Sequence, residues 1–468
     1  MTLLSRLVGL LVVLDTLARL PLLRVFYSDE GVLPRHVLLR HFSHSQTYVA
    51  LHSAAGSATA AVLLAAALVL AGCMLAANRR PAVSSAVALL LLCSQADRNP
   101  LVLVERDALL RVLTFWTLVA NMVRGAPKAS RAAAWVALLV RCQLALCFVL
   151  GALMKQRQWA EMHDGLAFAL VADTRTSMWA RDAAESLPGY AASVLLALEA
   201  SAGVAALPHV PQAMRVLVAM QLVVVRIGYA AVFPVDPVGH LCWIVAAAGL
   251  ACVGVEHTGG AGRRRAVRVA AACWASAAAV FVAIFVATTM GLVDEAISPV
   301  LRQMQFALPL AQVWDEHMLP NSVPGWETML VEHEAATEFA TDVWEQLVTN
   351  RCCTSEHSPV PRTGSAIVLA ADHVPQWDAY MGNMKLALEA DAHFADYYDH
   401  LFRYVCRNMD PPPARVQWTS NRVDMSDEPA ADVPTDGIVR TRLAQFDCLR
   451  QLDDERLFTE KENEPTRF

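Results

Sequence analysis

The chain has 468 residues, of which 56% are hydrophobic and only 18% charged, with a mean hydropathy of +0.38. Soluble domains carry about 25% charged residues, so this balance excludes a disordered chain, a small disulfide scaffold and an ordinary soluble enzyme. Charge is unevenly spread: residues 1–300 hold 24 basic and 16 acidic side chains, whereas 301–468 hold 14 basic and 28 acidic ones. A net charge of −6 with an acidic second half also argues against nucleic acid as a partner.

A bilayer core takes about 20 apolar residues as a helix. In chain order, apolar stretches of this kind run over 7–26, 55–77, 82–96, 107–123, 132–153, 189–207, 214–233, 238–256 and 267–290. The stretch at 82–96 is short enough to be re-entrant. The first stretch carries Asp15 and Arg19 and has no clean small-residue cleavage site, so it reads as a retained span rather than a signal peptide. The expected fold is mostly α. It comprises a polytopic membrane helix bundle of about 8–9 spans over 1–300 and a smaller C-terminal α+β extramembrane domain over 301–425. An acidic, mobile tail follows over 426–468. Small residues dominate the spans, which suits close helix packing in lipid. The Lys/Arg bias across the loops is weak. With a cytosolic N-terminus, nine spans put the C-terminal domain on the luminal or extracytoplasmic side.

Charges inside spans are costly and mark candidate functional positions. Asp15 and Arg19 are four apart and share a helix face. The loop FYSDEGVLPRH (26–36) follows, with Asp29, Glu30 and Gly31 suited to a turn and Arg35 placed after Pro34. Arg98, Asn99, Glu105, Arg106, Asp107 and Arg111 gather at the mouth of the 107–123 span. Asp107 and Arg111 have pairing spacing, which leaves Arg98 for an anionic group. Lys155 follows the 132–153 span directly, with Trp159 one turn on. Burial at the hydrocarbon edge favours a neutral lysine amine, which is the form a base requires. The competing reading is a snorkelling lysine beside an interfacial tryptophan. No Walker, G-x-G-x-x-G, H-E-x-x-H or G-x-S-x-G motif is present, and no cysteine spacing resembles a zinc site.

In the second half, 329–348 reads as an amphipathic helix and 376–409 as one or two helices with aromatic faces. The stretch 415–425 alternates loosely, as a strand does. Cys352, Cys353, Cys406 and Cys448 permit a disulfide if this half is luminal.

Several of these stretches resemble one family, the HTTM membrane domain shared by vitamin K-dependent gamma-carboxylase and its bacterial relatives. YSDEGVLPR (27–35) is similar to the loop after that family's first helix, and ADRNPLVLVERDALLRVLTFW (96–116) to its third-to-fourth helix segment. CQLALCFVLGALMKQRQWAEMHDGLAFAL (142–170) resembles its fifth span and the lysine-containing segment after it. LAQVWDEHMLPNSVPGWETML (310–330), together with 375–384 and 397–410, resembles the post-membrane region of bacterial-type members.

The resemblance implies a lyase- or ligase-like carboxylation driven by a reduced quinol, vitamin K or a relative, whose oxygenation generates a strong base. It implies Lys155 as the residue that deprotonates the quinol. Read from their own positions, Asp15, Arg19, Asp29, Arg35, Arg98, Asn99, Asp107, Arg111 and Trp159 are candidates for a surrounding substrate or structural polar network. The sequence departs from the family pattern in two places. An Asn-His pair reads Asn99-Pro100, and Gly-Gly-Asp reads Glu105-Arg106-Asp107. The second half is also too short for the animal enzyme's large luminal part. Two other readings stand beside the carboxylase-like one. One is a non-catalytic membrane scaffold or assembly factor whose acidic C-terminal domain binds a protein partner. The other is a transporter. Membrane lipid is a partner in all three.

Overall fold

The computed structural model describes residues 2–42, 51–54, 56–123, 131–160, 170, 177–184, 186, 190–207, 209–232, 236–252, 325–332, 341–342, 380, 384, 395–408, 413–423 and 438–448. The expected span at 267–290 lies outside them.

The fold is mostly helical. Helices α1 (Thr2–Arg19), α2 (Leu23–Tyr27), α3 (Arg35–Phe42), α4 (Leu51–Ala54), α5 (Ala58–Ala76), α6 (Pro81–Arg98) and α7 (Glu105–Val123) come first. They are followed by α8 (Arg131–Ala160), α9 (Met178–Ala184), α10 (Ala191–Ala200), α11 (Ala202–Ala206), α12 (Gln212–Val232) and α13 (Pro237–Cys252). Three stretches are long and apolar enough to cross a membrane: Ala58–Ala76, Trp135–Leu153 and Gln212–Val232. Ala191–Ala206 and Pro237–Ala251 are shorter apolar segments. The 8–9-span expectation therefore resolves, among the described residues, into three clear candidate spans, two shorter apolar segments and the more charged helices α1, α6 and α7.

Burial separates the roles of these helices. The apolar part of α8 is 61% buried, so α8 sits inside the bundle, whereas α12 is 22% buried and presents Leu217, Met220 and Val224 outward. Outward-facing leucines and valines at this density suit a lipid surface rather than water. The core packs Val8, Leu75, Trp116, Phe148 and Trp243 from five different helices. Where α1 meets α5, glycine makes the crossing possible. A Cβ on Gly9 would lie 2.4 Å from the Ala76 amide nitrogen and 2.7 Å from the Gly72 carbonyl oxygen. Backbones approach this closely only where side chains are absent.

The 189–207 stretch is not one continuous helix. It breaks at Ser201, between α10 and α11. Gln221 of α12 donates from Nε2 to the Leu198 carbonyl (3.0 Å) and to Ser201 Oγ (2.9 Å). The break is thus covered by a neighbouring side chain, as non-helical backbone at membrane depth requires.

The second half forms a four-stranded antiparallel sheet in the order β2-β1-β3-β4, with β1 Gly325–Glu332, β2 Thr341–Asp342, β3 Arg415–Val423 and β4 Ile438–Asp447. Helix α14 (Ala395–Asn408) accompanies it. The helix expected over 329–348 is not formed in the described part. Residues 325–332 pair along their whole length with 415–422, and 341–342 pair with 330–331. Long-range strand pairing overrides a local helical period that had no neighbour to pack on. Residues 438–447 pair with β3, and Cys448 is disulfide-bonded to Cys406 of α14. This part of 426–468 therefore belongs to the sheet rather than to a mobile tail.

The two halves meet. A second apolar cluster joins Phe26 of α2, and Val32 and Leu33 of the α2–α3 loop, to Tyr380, Leu401 and Trp418. Tyr380 is fully buried, stacks at a tilt on Phe26 (5.8 Å) and donates to the Val32 carbonyl (3.4 Å).

Candidate functional site: buried ionic clusters

The first cluster ties α1 to α7 and α13. Arg19, at the end of α1, donates from Nε and Nη2 to the Asp15 carboxylate at 2.9 and 3.1 Å. It also pairs with Asp107 and donates to the Tyr27 hydroxyl (3.1 Å). Arg106 lies 3.2 Å from Asp15 and 2.5 Å from Asp236. Asp236 also caps the start of α13, because its Oδ1 accepts from the Gly239 amide (3.0 Å). Asp107 accepts from the Val104 amide (2.9 Å) and so caps α7. The expected Asp15–Arg19 pair is present. The expected Asp107–Arg111 ion pair is replaced, because Arg111 Nε donates to the Asp107 main-chain carbonyl (3.2 Å) while the Asp107 carboxylate faces Arg19.

The second cluster surrounds Lys155. Its Nζ donates to both Glu199 oxygens (2.9 and 3.0 Å) and to the Tyr229 hydroxyl (3.1 Å). Arg226 sits 3.2 Å from Glu199 and 4.0 Å over the Trp243 ring. Glu199 is fully buried and Lys155 is 8% exposed. The lysine is therefore inside the protein and does not snorkel to solvent. A carboxylate at this distance favours the ammonium form, so the neutral amine expected from burial alone is opposed by Glu199. The Trp159 side chain lies outside the described residues.

The third cluster orders the loop between α2 and α3. Asp29 accepts from the Arg35 side chain (2.7 Å) and amide (3.0 Å), and pairs with Arg98 at 3.3 Å. Arg98 is fully buried and donates to the Leu33 carbonyl (2.8 Å), so it braces the loop and is not left for an anionic ligand. Asn99 donates to the Phe26 carbonyl (3.1 Å) and accepts from the Leu101 amide (3.2 Å). The expected turn forms at Ser28–Gly31, where the Gly31 amide reaches the Ser28 carbonyl (3.3 Å). A Cβ on Gly31 would fall 1.9 Å from the Val25 carbonyl oxygen, so the turn requires glycine. Nearby, His52 is bonded to Ser94 Oγ (2.9 Å), and burial followed by the charge of Arg98 pushes its imidazole down to about 4.

Sequence reasoning does not single out Glu199, Arg226, Tyr229 or Asp236. A signal for them exists: Glu199 is the sole charged residue within 189–207, and Arg215 and Arg226 are the only charged ones within 214–233. Among the described residues, no group of three His, Cys, Asp or Glu side chains is placed to hold a metal ion. No family model, no curated protein and no solved structure matches the chain.

Proposed function

We propose that the chain is a multi-pass membrane protein with a carboxylase-like, quinol-dependent core, in which the Lys155 cluster handles the substrate proton. One observation supports this reading. The residue to which the family resemblance assigns the base is enclosed between α8, α10 and α12, with a carboxylate and a phenol hydroxyl in contact. The donor set suits a quinol: an anionic oxygen to accept a hydroxyl proton, cationic and phenolic donors for the quinol oxygens, and aromatic faces at Tyr229 and Trp243. A bound reduced quinol would supply the oxygenation chemistry. Of the chain's own groups, Glu199 is the proton acceptor. Lys155 holds its proton at Nζ and offers positive charge to the oxygen that loses one.

The C-terminal domain is assigned to the luminal or extracytoplasmic side. The Cys406–Cys448 disulfide supports that side, because such bonds persist in oxidising compartments.

The test is a vitamin K epoxidation assay. Full-length protein in nanodiscs receives reduced vitamin K, oxygen, bicarbonate and a glutamyl peptide, with Lys155→Ala in parallel. Epoxide that disappears in the variant is the expected result. Absence of epoxide from folded, monodisperse protein would overturn the reading and favour the scaffold alternative. The apolar cluster that Tyr380 and α14 share with Val32 and Leu33 favours that alternative, since it holds a part of the acidic half against the bundle.

A further inference from the structure

Two histidines meet where the halves of the chain touch. His36 of α3 and His400 of α14 stand edge to face, with ring centroids 5.1 Å apart and planes at 76°. Both helices are anchored beside them. Val37 and Leu38 after His36, and Leu401 and Phe402 after His400, are buried in the apolar cluster that joins the halves. His36 is exposed and His400 half-buried, so the pair lies at the rim of that cluster, open to solvent protons. The other ionisable residues of α3 are Arg35, Arg40 and His41, and that helix carries no carboxylate. In the loop before it, Asp29 accepts from Arg35 and pairs with Arg98, while Glu30 accepts from Arg24. Tyr380, packed on the same loop, donates to the Val32 carbonyl. On α14, Asp396 lies one turn before His400, Asp399 adjoins it, and Arg403, Tyr404 and Arg407 follow. The strands that pack on α14 add Arg415 and Arg422 from β3, and Arg440, Arg442 and Asp447 from β4.

We propose that His36 and His400 form a pH-sensitive latch between the C-terminal domain and the helical bundle, closed while at most one ring is protonated and loosened when both are. Histidine is the side chain whose charge changes between pH 5 and 8. Two neutral rings make an ordinary edge-to-face contact. A first proton is tolerated, because a cation against a neutral ring is attractive. His400 is its natural place, since Asp396 has the four-residue spacing that lets a carboxylate support it. The second proton falls to His36, on a helix that carries only cations beside it, and sets two like charges 5.1 Å apart. The separated halves therefore bind protons more readily than the docked ones, and the contact loosens as pH falls. This inference does not depend on the quinol reading, and its test contains no quinol.

The test is hydrogen exchange of the full chain in nanodiscs at pH 8 and pH 5, read by mass spectrometry and corrected for the intrinsic pH dependence of exchange. Opening of 32–42 and 395–408 is expected to rise about tenfold at pH 5, a size in keeping with like charges at this separation near a protein surface. Helix α12, which has no part in the contact, should not change. His36→Phe keeps a ring at the contact and takes no charge, so it should stay docked at both pH values and lose the rise. The rise should persist in His52→Gln. No rise in the wild-type chain, a rise that survives His36→Phe, one that spreads to α12, or one lost in His52→Gln would overturn the latch. Should His36→Phe be open already at pH 8, His400→Gln carries the same test, because either neutral variant must abolish the rise. Both variants open at pH 8 would show that the rings hold the contact whatever their charge, and would overturn it equally.

Discussion

Lys155 on α8 and Glu199 on α10 face each other at 2.9 and 3.0 Å across 44 positions of sequence, with Arg226 of α12 on the other side of the carboxylate. Removing one charge strands two others in an apolar bundle. Glu199→Leu is expected to destabilise the protein by about 3–5 kcal/mol, the usual cost of breaking a buried pair from one side. The double variant Lys155→Met/Glu199→Leu should recover part of that loss. Thermal unfolding in detergent, arranged as a double-mutant cycle, measures both.

The crossing of α1 and α5 makes a sharper prediction. Gly9→Ala drives a methyl against the Ala76 backbone, so overpacking of about 1–3 kcal/mol is expected. Gly228→Ala adds a methyl with no heavy atom within 4 Å and replaces a poor helix former in α12, so it should be neutral or slightly stabilising. Melting temperatures of the two variants, read side by side, check this. Equal losses would show that the close approach is absent.

Much of the helical scaffold was legible in the sequence, because a run such as 58–76 is apolar over the length that a membrane-crossing helix needs. The Asp15–Arg19 pair was legible for a local reason, since four residues of helix set the distance. The Arg19–Asp107 pair was not, because it joins positions 88 apart and depends on how α1 packs on α7. Local spacing suggested Arg111 for Asp107, and the tertiary partner displaced it. The strand at 325–332 was hidden for a similar reason: its partner, 415–422, lies some ninety residues away, and only pairing distinguishes it from a short helix.

Asp236 combines a cap with an ion pair, and the two can be separated. Asp236→Asn keeps an oxygen for the Gly239 amide and loses the charge facing Arg106, whereas Asp236→Ala loses both. The alanine variant should be about 1 kcal/mol less stable than the asparagine one, the ordinary worth of a cap. Chemical denaturation in mild detergent resolves that difference, and equal stabilities would remove the capping role.

His52 gives the fold an acid sensitivity of known sign. Its folded value of about 4 lies below the ordinary 6.5, so the unfolded chain binds the extra proton first as pH falls. The stabilisation is complete above pH 6.5 and declines as pH drops toward 4, by about 3 kcal/mol in all. His52→Gln, which can still bond to Ser94, should flatten stability between pH 6.5 and 4. An unchanged slope would assign the acid sensitivity elsewhere.

The bond between Cys406 and Cys448 spans 42 positions and includes the whole of β3 and β4 in its loop. A protease cut anywhere between those cysteines opens the main chain without releasing a piece. Cleaved protein would migrate as two fragments after reduction yet remain one molecule before it. The half that leans on the α2–α3 loop can thus be nicked between its cysteines and still keep its grip.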